Sequence, residues 1–150
     1  MRYDDVILRW AKIATILFTA MAVVADVFGV IITKYIAYCW AGIFDMPRLI
    51  ALIVIFYVGT IGGYTVLIPL LKMLNNMSKD KVFDRANTKL MMIITCALAG
   101  IAVDCIIGGF LWNGCWILSI VAMFMAVIVL SIRVVFVKAI TMKEEMDLTI

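Results

Sequence analysis

Histidine is absent from the 150 residues, and charged side chains make up only 15% of them. The first absence excludes His-based acid–base catalysis and His metal ligation. The second sets the chain well below the roughly 25% charge of an ordinary soluble domain. No Cys-x-x-Cys pair occurs, so a zinc site is disfavoured too. No nucleophile–base constellation and no phosphate-cradling glycine loop is present, so the chain reads as non-enzymatic, with no cofactor. What is there instead is apolar: 67% of the residues. That excess excludes a soluble enzyme, a disordered tail and a nucleic-acid-binding module, and leaves an all-α integral membrane protein.

Charge-free runs locate the helices. Leu49 to Leu71 carries no charge over 23 residues, enough to cross a bilayer. A second run lies between Lys12 and Lys34 and is broken only by Asp26. A third begins after Lys89 and meets Asp104, and no further charge appears until Arg133. That last stretch must contain a turn, and Gly108, Gly109, Asn113 and Gly114 supply it. The expectation is one membrane domain over 1–150, an antiparallel four-helix transmembrane bundle with spans near 11–33, 49–71, 87–110 and 115–137. Asp26 does not defeat the first span. Eleven Ile, Leu, Phe and Val residues between Ile13 and Ile32 contribute about −0.3 to −0.6 kcal/mol each, against about +3 kcal/mol for one central Asp. The same run is too long for a cleaved signal peptide, so the first helix is expected in the mature protein.

Lys and Arg set the orientation. With the N-terminus inside, eleven of the 13 cations fall on the inner side, and only Lys34 and Arg48 on the outer. Both termini, the 72–89 loop and the 138–150 tail are then cytoplasmic. Trp40, Trp112, Trp116, Tyr35 and Tyr38 fall at the outer interface, with Trp10 at the inner.

Inside the spans, Gly59 and Gly63 form a GxxxG pair with Gly62 beside them, suited to helix packing within the bundle or to a homodimer face. Pro69 should bend the end of the second span, and the Thr65 hydroxyl is placed to satisfy the carbonyl region it frees. Asp26 and Asp104 are the sharpest chemical feature. Each lies about fifteen residues from the inner end of an outward-running helix, so they are expected at similar depth. Three readings stay open: a shared proton, a bound cation or cationic ligand, and simple solvation near the outer headgroups. Of the four cysteines, Cys39 and Cys115 both fall on the outer side, where a disulfide is possible, while Cys96 and Cys105 read as small packing residues.

At the inner face, the 72–89 loop carries five cations and two acids. Asp84 has the position of an N-cap for the third helix, with Phe83 fixing the entry of the chain. The tail mixes Lys143, Glu144, Glu145 and Asp147 with Met146, Leu148 and Ile150. A fraying end is the usual fate of such a segment, and docking on a basic protein is the alternative.

Two stretches carry a resemblance: Val82-Phe83-Asp84-Arg85-Ala86-Asn87 with Leu90, and the ending Lys143-Glu144-Glu145-Met146-Asp147-Leu148-Thr149-Ile150. On them the chain resembles the small bacterial membrane proteins of domain-of-unknown-function family 2975. It differs at Lys81-Val82, where Gly and Pro are frequent, and at Met146, where Asn is frequent. The resemblance implies four spans in the bacterial cytoplasmic (inner) membrane and no established activity. Family members are often encoded beside a small helix-turn-helix regulator of the Cro/phage-repressor type. It therefore implies a regulatory membrane protein that docks a small cytoplasmic DNA-binding protein through the loop and the tail, without itself touching nucleic acid. Other partners open to the chain are lipid and a second copy of itself. Two further functions remain open: a small proton- or cation-coupled transporter using Asp26 and Asp104, and a structural subunit of a membrane complex.

Overall fold

The computed structural model describes residues 3–79 and 81–149, with side chains from residue 5 onward. All regular structure among the described residues is helical. The first helix, α1, spans Tyr3–Val27, and a second, α2, spans Gly29–Ile36. They are two limbs of one bent rod. Phe28 N–H still donates to Val24 O (3.2 Å) and Ile32 N–H to Phe28 O (2.9 Å) across the junction. A π-helical turn, Ala37–Ala41, follows and ends at Gly42, whose φ of 63° is the left-handed conformation that closes many helices.

The chain then returns as α3, Met46–Met77, with Pro47 in its first turn, where a missing N–H costs nothing. Pro69 sits inside α3. The Thr65 hydroxyl donates to Ile61 O at 2.9 Å, so it is engaged one turn before the carbonyl that Pro69 leaves free. This is ordinary i−4 back-bonding, and it corrects the expectation that Thr65 compensates the proline. After a short link, α4 runs Arg85–Gly109, and after residues 110–113 α5 runs Gly114–Leu148.

Four of these helices are long and apolar enough to cross a membrane, and only a small minority of residues in their most apolar windows are buried within the chain. A surface so apolar and so little self-covered belongs in lipid. At 1.5 Å per residue, the 32 residues of α3 and 35 of α5 reach about 48 and 52 Å, beyond the roughly 30 Å hydrocarbon core. Their ends therefore stand clear of it. In particular, the 138–148 segment continues α5 as helix instead of fraying. Ile140 is buried in this extension, and Glu144 is tied to α4, which explains the difference.

The packing order is α1–α3–α4–α5, each long helix antiparallel to its chain neighbour. Among the described residues α1 packs on α2 and α3, with no comparable contact to α4 or α5. The four-helix bundle is thus open along one side. Its largest apolar cluster, Ala37, Ile43, Leu49 and Leu52 with Leu111 and Trp112 against them, lies at the end away from the α3–α4 link. The other end holds that link, the start of α1 and the end of α5, and with them most of the Lys and Arg; it is called the basic end below.

Candidate functional site

Close approach of α3 and α4 fixes the membrane part of the site. A Cβ at position 62 would stand 2.6 Å from Ile101 Cγ1, and one at position 59 would stand 3.3 Å from Asp104 Oδ2. A Cβ at position 63 would meet nothing within 4 Å. The glycines that receive α4 are therefore 59 and 62, one helical turn apart. Gly63, expected with Gly59 as the packing pair, instead faces an open crevice.

The two intramembrane acids are engaged separately. Asp26 of α1 is taken by α3: the Tyr64 hydroxyl donates to Asp26 Oδ2 at 2.6 Å, and the Tyr57 hydroxyl to its backbone carbonyl at 3.1 Å. The first is as short as a charge-assisted O–H···O bond. The other carboxylate oxygen, Oδ1, is buried without a partner. Tyr57 and Tyr64 are seven residues apart, two turns on one face of α3, and a tyrosine pair at that spacing in an apolar span is the signal by which they were findable. Asp104 lies on the other side of α3, beside Gly59, and lines the crevice. Its carboxylate makes no ion pair among the described residues.

No bridge joins Cys39 to Cys115; all four cysteines are free thiols. Cys39 is exposed on the π-helical turn, while Cys115 is buried, its Sγ packed under Gly108. The possible Cys39–Cys115 disulfide is thus not formed in this structure. No group of three or more metal-ligating side chains occurs among the described residues.

The basic end is more highly organised. Asp84 caps α4, its Oδ1 accepting from Ala86 N–H at 2.9 Å. Asn87 is fully buried and spans three segments. Its Nδ2 donates to Lys81 O (2.8 Å) and Val82 O (2.9 Å), while its Oδ1 accepts from Asn76 Nδ2 of α3 (3.0 Å). An amide is the one uncharged side chain that both donates twice and accepts here, so the residue type follows from the task. Lys12 of α1 reaches the same region, donating to Ser78 Oγ (2.6 Å) and Asn75 Oδ1 (3.3 Å).

The far end of α5 closes onto this link. Phe83 packs on Phe136 with ring centroids 5.8 Å apart. Arg85 grips Glu144 at two points, Nε to Oε1 at 2.9 Å and Nη2 to Oε2 at 2.6 Å. Those hydrogen bonds hold the Glu144 carboxyl below the usual carboxylate range and raise the Arg85 guanidinium further. Between the two segments lies a groove of about 570 Å³, with Lys81, Phe83 and Arg85 on one wall and Lys143, Glu144 and Asp147 on the other. The loop residues Phe83, Asp84 and Asn87 and the tail residues Lys143, Glu144 and Asp147 therefore belong to one locality. Glu145, Leu148 and Thr149 continue the exposed end of the chain, the Thr149 hydroxyl turned back to Met146 O (2.8 Å). Ile150 lies outside the described residues. The pairing was not findable from sequence, because a contact across 59 positions leaves no local period.

An open four-helix membrane bundle with a structured basic end is the class that this geometry defines. Residues 32–150 match the family described as "Protein of unknown function (DUF2975)", and the chain belongs to that family. No curated protein and no solved structure matches the chain.

Proposed function

We propose that this is a non-enzymatic regulatory protein of the bacterial inner membrane, with both termini cytoplasmic. Its basic end docks a small cytoplasmic helix-turn-helix regulator. One observation carries the reading: of the two stretches that carry the resemblance, 82–87 contributes Phe83, Asp84 and Arg85 to one side of a single groove, and 143–150 contributes Lys143, Glu144 and Asp147 to the other. Lys81, Lys143 and Asp147 line it without making ion pairs among the described residues, so both signs of charge remain available to a partner. Phe83, held from behind by Phe136, and Ile140 give that partner an apolar anchor.

The first test is the identity of the adjacent reading frame, which should encode a small helix-turn-helix regulator; co-expression with that protein and purification from the membrane follow. Co-purification is expected from the full chain and from Asp26→Asn, and its loss from Phe83→Ala and from deletion of 143–150. An unchanged pull-down for both basic-end variants would remove the groove from the reading. Orientation is tested independently at Cys39. A membrane-impermeant maleimide added to intact spheroplasts should label this exposed thiol. Labelling only after lysis would place the basic end outside and overturn the cytoplasmic assignment.

A further inference from the structure

The crevice on the opposite half of the molecule has chemistry that the docking groove does not explain. It measures about 500 Å³ and opens between the α1–α2 rod, α3, α4 and the start of α5. Its walls include Phe56, Gly63, Ile101, Trp112 and Leu118, and its one charged group is Asp104. The two hydroxyls on its lining are already committed, Thr33 to Gly29 O at 2.7 Å and Thr60 to Tyr57 O at 2.9 Å. The space is therefore an almost wholly apolar chamber, with the Asp104 carboxylate set at its margin against Gly59 of α3.

We propose that this crevice binds a lipophilic organic monocation, with the Asp104 carboxylate as its counter-ion. A metal ion does not suit the site. Calcium and magnesium need about six or more oxygen ligands to replace their water, and one carboxylate in an apolar wall offers two. A protonated or quaternary amine on a hydrophobic body needs no such replacement. Its charge is met by Asp104, with the aromatic side chains of Phe56 and Trp112 in the lining, and its body by the aliphatic wall. Volume agrees, since drug-sized ligands occupy pockets of roughly 300–1,000 Å³. Access agrees as well. Asp104 is five residues from the α4 terminus at Gly109, about 8 Å along the axis, so a cation reaches it from the headgroup zone without crossing the bilayer centre. The small-residue row on α3 has a second use here. Gly59 admits the Asp104 carboxylate beside the helix, and Gly63 leaves the chamber open.

A matched pair of probes separates charge from greasiness. Benzyltrimethylammonium and neopentylbenzene have the same shape, and only the first is charged. Each is titrated into the full chain in lipid nanodiscs, and the methyl signals of Ile101 and Leu118 and the indole N–H of Trp112 are followed by NMR. The cation should give saturable shifts, and the neutral isostere none beyond those of partition into the lipid. Asp104→Asn should weaken cation binding on the order of thirtyfold or more, while Glu144→Gln, which removes an acid at the far, basic end of the molecule, leaves it unchanged. Gly63→Leu, which projects into free space, should block it by filling the chamber. Saturable binding of the isostere equal to that of the cation would overturn the proposal, leaving a lipid-chain cavity. So would full cation affinity in Asp104→Asn. The comparison on the unmutated chain stands even where a variant fails to fold.

Discussion

Arg85, the first residue of α4, and Glu144, near the end of α5, meet in a two-point ion pair across 59 positions of sequence. The contact holds the last turns of α5 alongside the link between α3 and α4. Both side chains are largely or about half exposed, so the pair fixes geometry more than it adds stability.

Removing it should therefore free the end of α5 without unfolding the bundle. Glu144→Gln is expected to leave the melting temperature in detergent within a few degrees, and to speed hydrogen exchange at 143–149. The pH dependence has a definite sign. Because the folded-state pKa of Glu144 is lowered, its stabilising contribution is present above the ordinary carboxylate range and is lost as pH falls through the depressed value. Exchange at 143–149 should accordingly stay slow through neutral and mildly acidic pH, and rise only in strong acid. A rise already at pH 6 would show that another group controls the tail.

Asn87 carries more stability than any residue of that ion pair. Asn87→Ala leaves Lys81 O, Val82 O and Asn76 Nδ2 without their partner in a part-buried place. A loss of about 2–4 kcal/mol is expected, from a cost of about 1–3 kcal/mol for each group left unmade and partial rescue by water. Asn87→Asp should not rescue it, since a carboxylate accepts and cannot donate to the two carbonyls. Equilibrium unfolding in mixed micelles measures both; a loss under 0.5 kcal/mol for the alanine variant would contradict this account.

Two adjacent glycines should respond in opposite ways. Gly62→Ala places a methyl 2.6 Å from Ile101 Cγ1 and forces α4 or the Ile101 rotamer to shift, at a cost of about 1–3 kcal/mol. Gly63→Ala meets nothing and should be neutral or slightly stabilising. Unfolding of the two variants side by side gives the answer, and equal effects would mean that α3 and α4 do not pack in this register.

The helices were legible in the sequence because a bilayer admits few alternatives: Leu49–Leu71 without a charge can hardly be anything but a span. Asp84 was legible as a cap because capping is local. What lay beyond reading were the relations between distant residues. Nothing near Asp26 names Tyr64 as its partner, and nothing near Arg85 names Glu144. The GxxxG pattern marked the right helix, but within the bundle α4 packs on 59 and 62, since 59 with 62 and 59 with 63 both lie on one face and only the crossing of α4 chooses between them. The break at Phe28 was passed over, because the one local signal is Gly29, a residue that long spans tolerate, and the hydrogen bonds run on across it.

The peripheral place of α1 has a mechanical consequence. It leans on one long neighbour, with Tyr57 and Tyr64 as the polar pins on Asp26 at its far end and Lys12 as the pin at the basic end. A sideways swing of this arm disturbs no seam between α3, α4 and α5. The effort needed to move it is set by those few pins, and the wall that it contributes to the Asp104 chamber moves with it.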